Sequence, residues 1–223
     1  MGYQLDFSAA YENWDALLAG LWLSIRLAAI ATVLGTVAAV LLALCKLSGS
    51  KVLRATVGAY VEVVRNTPLL VQVFFVYFAL PGIGLRLRPD AAAIVALAAN
   101  AAAYEAEIIR AGIQSVSHGQ VEAGRALGLH RLQVVRFVVL RPALKAVYPA
   151  LTSQFNVVLL GTSVVSAIAA SELTHEAETI ISLTFRSFEI YAVVGVIYLV
   201  TAWAFGLFFA AAYRRLFSYP DAA

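Results

Sequence analysis

Three histidines and one cysteine are the residues of this 223-residue sequence best suited to hold a metal, and none is spaced to do so. His118, His130 and His175 stand apart, and no HExxH or CxxC occurs, so no metal site is expected. Cys45 has no second cysteine to pair with and reads as a packing residue. Ser163 with His175 is the one conceivable nucleophile–base pair, but His175 falls outside the hydrocarbon-length runs, which argues against intramembrane proteolysis. No GxxxxGK[ST] phosphate loop is present, so the chain is not itself an NTPase of that type. The remaining candidates are polar and charged groups set in apolar surroundings.

Asn100, Tyr104 and Glu107 recur at i, i+4 and i+7, one helical face, with Arg110 three residues on to neutralise Glu107. Alanines occupy the other faces, so this stripe is expected to point into protein or water, as a structural ion pair or as a pathway lining. Thr152, Asn156, Ser163 and Ser166 form a second stripe. Gln154 lies about 200° round from Asn156 on an ideal helix, so one straight helix cannot aim both at the same cavity. Gly161-Thr162-Ser163 joins hydroxyls to a flexible point where unwinding would offer backbone groups to a ligand. A third group is Arg65, Thr67 and Pro68. Arg65 falls inside the inner leaflet, where it snorkels, pairs with Glu62 at i−3, or faces a wet cavity. Pro68 removes a backbone donor and bends the helix or opens it locally.

The elements that carry these residues follow from composition. The chain is 62% hydrophobic and only 13% charged, outside the range of an ordinary soluble domain. A spanning helix needs about 20 mostly apolar residues, and such runs are expected at 17–44, 60–80, 91–110, 147–170 and 191–213. The fold class is thus an all-α membrane protein of five transmembrane helices, a single transmembrane domain over 1–223. Arg86, Arg88 and Arg186 fall on one side. Lys46, Lys51, Arg54, Arg125, Arg131, Arg136, Arg141, Lys145, Arg214 and Arg215 fall on the other. The positive-inside rule therefore puts the N-terminus outside and the C-terminus in the cytoplasm. The net charge of +3 expresses that bias and does not point to nucleic acid. Small residues in the first run, among them Gly20, Ala28, Ala31, Gly35 and Ala39, would let another helix approach, and a second copy or a relative would complete a pathway. Ser171 to Glu178 reads as an acid-rich helix start at the outer mouth.

The cytoplasmic segment 117–139 is the chain's polar interruption. Ser117 with Gln120 reads as a capping box, and Gly128 stands where a left-handed cap ends a helix. Glu122 and Arg125 are expected on its outward face, with Ala123, Ala126 and Leu127 behind.

Glu122-Ala123-Gly124, then Gly128, Val138, Leu140 and Pro142, resembles the cytoplasmic E-A-A-x3-G-x9-I-x-L-P loop of ABC-importer permeases. Glu62-Val63-Val64-Arg65-Asn66-Thr67-Pro68-Leu69-Leu70-Val71-Gln72 is similar to the E-x-x-R-G-T-P-L-L-V-Q signature of the polar amino-acid permeases, the histidine/glutamine/glutamate/arginine type. Tyr104 to Gln114 resembles their Y-x-A-E-I-x-R-x-G-I-x segment, and Thr162-Ser163 with Glu172-Leu173 their T-S-x9-E-L passage. The resemblance spans 20–213 and implies the type I importer permease fold in a bacterial cytoplasmic (inner) membrane.

It further implies a non-enzymatic transport subunit without a cofactor of its own. ATP and Mg would sit on two partner ATPase subunits. A second permease subunit, identical or paralogous, would complete the path within the membrane lipid, and an extracytoplasmic binding protein would deliver an amino acid. Glu122, Ala123, Gly124 and Gly128 would form the coupling helix. Gln154, Thr162 and Ser163, with Asn100, Tyr104 and Glu107, would line the pathway, and Arg65, Thr67 and Pro68 would serve structure or gating. The same architecture could carry an opine or ectoine-like zwitterion, or serve as a non-transporting scaffold. Three departures stand out: Gly124 replaces the second alanine, Arg141-Pro142 sets the proline one position late, and Leu160-Gly161 occupies the place of a common Lys-Asp pair.

Overall fold

The computed structural model describes residues 4–217, and all of their regular structure is helical. A short α1 (Ser8–Glu12) leads into α2 (Trp14–Leu47), followed by α3 (Lys51–Arg65) and α4 (Leu69–Phe74). Then come α5 (Pro89–Gln114), α6 (His118–Ala126) and α7 (Arg131–Gln133). The chain ends with α8 (Leu140–Gly161), α9 (Leu173–Thr184) and α10 (Ser187–Leu216). Among the described residues, four stretches are long and apolar enough to cross a membrane: Trp14–Leu47, Pro89–Gln114, Arg131–Ile168 and Ser187–Leu216. A fifth exists only if Lys51–Arg65 and Leu69–Ile83, bent by 109° at the break between them, count as one.

Two expected boundaries move. The run expected at 60–80 is not one straight helix. Pro68 takes an extended ψ of 141° as the N-cap of α4, because its ring cannot donate to the turn before it. The fourth run does not begin near 147. A π-helical turn, Val134–Val139, joins α7 to α8, so the helix from Arg131 takes in residues expected in the cytoplasmic segment. Beyond α8 the helix tightens to a 3-10 turn over Thr162–Ile168.

The core is the close contact of α2 with α5. Ala28, Ala31 and Ala39 on α2 are fully buried, as are Ala92, Ala93, Ala101 and Ala103 on α5. A Cβ on Gly35 would lie 2.9 Å from that of Ala101. Small residues let backbones approach until dispersion contacts become dense, the main attraction left between helices in lipid. The approach surface on α2 read as serving another subunit is thus largely covered within this chain, by α5 and, at Gly20, by α9.

α9 is held by a buried carboxylate. Glu172, rather than Ser171, is its N-cap, accepting from the His175 N–H at 3.0 Å. Its second oxygen accepts from the Tyr198 hydroxyl at 2.8 Å and the Ser24 hydroxyl at 3.2 Å. Ser24 Oγ in turn accepts from the Leu173 N–H at 3.2 Å. This network joins α2, α9 and α10. Glu172 lies between two spans, and burial pushes its carboxyl above the usual range, against the opposing hydrogen bonds. The folded state thus favours the protonated form, and stability from this group falls as pH rises through the raised value.

A Cβ on Gly20 would meet Leu173 Cα and Glu176 Cγ, both at 2.9 Å. Gly20→Ala should therefore lower the thermal unfolding midpoint in detergent, by about 1–3 kcal/mol of overpacking. Gly195→Ala, where a Cβ meets nothing within 4 Å, should leave it unchanged or raise it. Glu172→Leu strands the His175 N–H, at roughly 1–3 kcal/mol, and leaves the Tyr198 hydroxyl only Thr174 Oγ1, at 3.3 Å. Glu172→Gln keeps one of the two acceptor oxygens and should lose less, and it should flatten the pH dependence of the melt. Equal losses in the two Glu172 variants would refute the network.

Candidate functional site

The polar knob is capped at both ends, by a side chain at its start and by its own backbone at its end. Ser117 Oγ accepts from the Gln120 N–H at 3.4 Å. At the other end the Leu129 N–H bonds Gly124 O at 3.2 Å and the Gly128 N–H bonds Arg125 O at 2.9 Å. With Gly128 at φ +80°, these bonds make a Schellman cap. The complete reciprocal capping box forms at His130–Gln133 and starts α7. Gly124 is the buried residue of α6, facing the π-helical turn, where a Cβ would stand 3.1 Å from Val138 Cγ2. Alanine would thus require Val138 to yield slightly, so glycine is matched to this packing.

Glu122 is exposed, and its carboxylate lies 3.0 Å from His118 Nδ1. Ala123, Ala126 and Leu127, expected behind the helix, are exposed instead, with Leu127 82% accessible. Gly124 sets the inward direction, and Ala126 sits about 200° round from it. Arg125 is exposed with Glu122 as expected, so the knob shows a mixed charged and apolar surface.

At the broken span, Gln72 performs a task that sequence reading did not assign. Its Nε2 donates to Val64 O at 2.7 Å, Thr67 O at 3.0 Å and Thr67 Oγ1 at 2.9 Å. Its Oε1 accepts from Asn100 Nδ2 at 3.0 Å. One amide thus satisfies carbonyls freed by Pro68 and ties the break to α5. The available signal was an amide four residues beyond a mid-span proline. Arg65, Thr67 and Pro68 are all exposed at this apex. Arg65 does not pair with Glu62. Its guanidinium lies 5.2 Å from the centroid of the Tyr104 ring. Glu107 bridges Lys46 at 2.5 Å and Arg110 at 2.8 Å. The α5 stripe is therefore brought together in two parts: Asn100 with Gln72, and Glu107 in an ion-pair triad.

On α8 and beyond it, three hydroxyls return to their own backbone. Thr152 Oγ1 bonds Pro149 O at 2.9 Å, and Thr162 and Ser163 bond the carbonyls of Leu159 and Leu160, each at 2.7 Å. Thr162 is fully buried and Ser163 partly so. Gln154 is buried, and its Nε2 lacks a partner. Asn156, whose Oδ1 is likewise unsatisfied, lines a separate cavity of about 400 Å³ between α8 and α10. The six pathway candidates do not converge on one pocket within the described residues. Glu105, absent from the sequence candidates, is fully buried and accepts from Thr36 Oγ1 at 2.6 Å.

Comparison with known proteins places this arrangement. The nopaline transport system permease protein of Agrobacterium fabrum is 38% identical over 205 residues, covering 87% of this chain and 85% of that one. The glutamine transport system permease protein of Escherichia coli is 36% identical over 199 residues, covering 88% and 91%. The crystal structure of an amino acid ABC transporter with histidines superposes with a TM-score of 0.89 at 37% identity, over 96% of this chain and 100% of that one. A chain of the MetNI methionine ABC transporter, at 22% identity and TM-score 0.72, shares the fold. Residues 31–218 match the family described as the binding-protein-dependent transport system inner membrane component. On that match and these relatives, the protein belongs to this family of ABC-transporter permeases.

Proposed function

We propose that the chain is the transmembrane subunit of an ATP-driven importer of amino acids or opines, seated in a bacterial cytoplasmic membrane. The N-terminus lies outside and the basic loops, with α6, lie in the cytoplasm. The path is completed by a second permease subunit. An extracytoplasmic binding protein delivers the solute, and two ATPase subunits, holding ATP and Mg, dock on α6. The observation that carries this reading is a nine-residue helix capped at both ends that leaves Glu122, Ala123 and Leu127 exposed. A leucine 82% accessible beside an accessible carboxylate suits a groove that is apolar at its centre and polar at its rim.

Gly124 and Val138 make α6 a lever on α8. The π-helical turn is continuous with α8, so a push on α6 is carried along one helix toward Thr162 and Ser163. α5 and the broken span, tied by Gln72 and Asn100, form the opposing wall. Gln154, Asn100 and Tyr104 are the polar groups this reading places along the path, and Glu107 holds α5 to the end of α2. Similarity to permeases named for glutamine and for nopaline favours a solute that carries an α-amino acid's carboxylate.

Reconstitution with the ATPase and the binding protein tests this. Glu122→Arg should abolish substrate-stimulated ATP hydrolysis and uptake together, and Leu127→Asp should reduce copurification of the ATPase without shifting the melting midpoint. Survival of both hydrolysis and uptake in Glu122→Arg would rule out docking at α6. Gln72→Leu strands the Val64 and Thr67 carbonyls at about 1–3 kcal/mol each. Uptake should then fall roughly tenfold or more while the ATPase still copurifies.

A further inference from the structure

Two buried polar groups stand at one level of the contact between α5 and α8 and do not bond each other. Glu105 is fully buried; its Oε2 accepts from Thr36 on α2 at 2.6 Å, and its Oε1 has no partner. Gln154 is 8% exposed, and its Nε2 also lacks a partner. A buried donor or acceptor left unpaired is rare enough in native proteins to need an explanation. Here one of each occurs. Two close contacts fix the level. A Cβ on Gly112 would collide with Val147 Cγ1, and one on Gly161 would stand 3.8 Å from Leu97 Cδ2. These pairings make α5 and α8 antiparallel. Gln154 lies seven residues from Val147 and seven from Gly161, on one helical stripe. Glu105 lies seven residues from Gly112 and eight from Leu97, on the facing stripe. The two contacts therefore set Gln154 opposite Glu105. Thr32 Oγ1, one turn before Thr36 on α2, is a further buried atom without a partner.

We propose that Glu105 and Gln154 form a latch between α5 and α8 that is open in this structure and closes in another state of the transport cycle. Thr36 holds the carboxyl in position for it. The latch rests on the importer reading, which supplies the push on α6, and it gives Gln154 a partner within the chain. The two groups are complementary: an amide N–H donates, and the carboxyl keeps an acceptor oxygen whether or not it is ionised. The helix that carries Gln154 is also free to move as a unit. It is entered through the π-helical turn Val134–Val139 and left through the 3-10 turn Thr162–Ile168, and irregular turns of this kind often mark hinges and functional sites. Gly112 against Val147 is the fulcrum, because the two helices cannot approach further there. Gln154 lies about 10 Å beyond it along the helix, so a tilt of about 6° carries the amide roughly 1 Å.

The test uses the complete complex with its ATPase and binding protein in phosphatidylcholine nanodiscs, without solute, either nucleotide-free or trapped with ATP and vanadate. Gln154→Leu removes an unpaired donor where the latch is open and a made bond where it is closed. Replacing an unsatisfied buried group by an apolar one is neutral or stabilising, whereas breaking a bond strands its partner. The thermal midpoint should therefore hold or rise in one state and fall by about 2–4 °C in the other, the scale of one hydrogen bond in a chain of this size. Glu105→Leu should show the same difference between the states, on top of any loss common to both from Thr36. The double variant should show that difference once, not twice. Glu105→Gln should keep the unmodified pattern, since its oxygen can take the Gln154 amide while its NH2 meets Thr36 Oγ1. Equal shifts in the two states, or differences that add in the double variant, refute the latch. Substrate-stimulated ATP hydrolysis of the unmodified complex is measured alongside. If it is present and the shifts are equal, only the latch fails; if it is absent, the importer reading fails and the latch with it.

Discussion

Hydrocarbon offers no hydrogen bonds, so each place where a spanning helix stops being regular must satisfy its freed backbone groups from within. The sharp turn at Pro68 is tolerable because the Gln72 amide reaches back to Val64 and Thr67. Asn100 holds that amide in place, so the break becomes part of the contact with α5. The same constraint governs α8. Thr152, Thr162 and Ser163 direct their hydroxyls to carbonyls of their own helix, and the backbone tightens into a 3-10 turn without being exposed.

Association in lipid then depends on how closely helices can approach. Alanines and glycines bring α2 against α5, and this leaves room for buried acids that larger side chains would exclude. Glu105 meets Thr36 across that contact, and Glu172 gathers Ser24, Tyr198 and the start of α9. Glu189, also fully buried, accepts from the Asp6 N–H and so fastens the chain's leading segment to α10. Polar groups are costly here, and each of these contacts joins elements far apart in sequence. They fix where α9 lies relative to the spans.

Contact between the knob and the long helix is made at Gly124. A residue that lowers helix propensity by about 1 kcal/mol is kept at the one position where a side chain would press on Val138. The resulting contact joins α6 to a helix that runs from Arg131 to Ile168. An exposed capped helix is thus packed directly against a long spanning helix.

Much of this was legible in the residues. Apolar run lengths located the long helices, and Ser117 and Gly128 marked the ends of α6. The spacing of Glu107 and Arg110 foretold their ion pair, because each of these signals is local. The bend at Pro68 was foreseen in kind but not in size, since 109° depends on what satisfies the broken turn. Leu127 was placed on the wrong side because the inward direction of α6 is set by Val138, a contact outside its own periodicity. Gln72, Glu105 and Glu172 took their roles only from partners on α3, α5, α2 and α10. Sequence by itself determined the approximate course of the long helices, which runs suit a membrane and which family the chain resembles. Tertiary structure alone decided which polar groups meet, because those pairings join residues tens to well over a hundred positions apart.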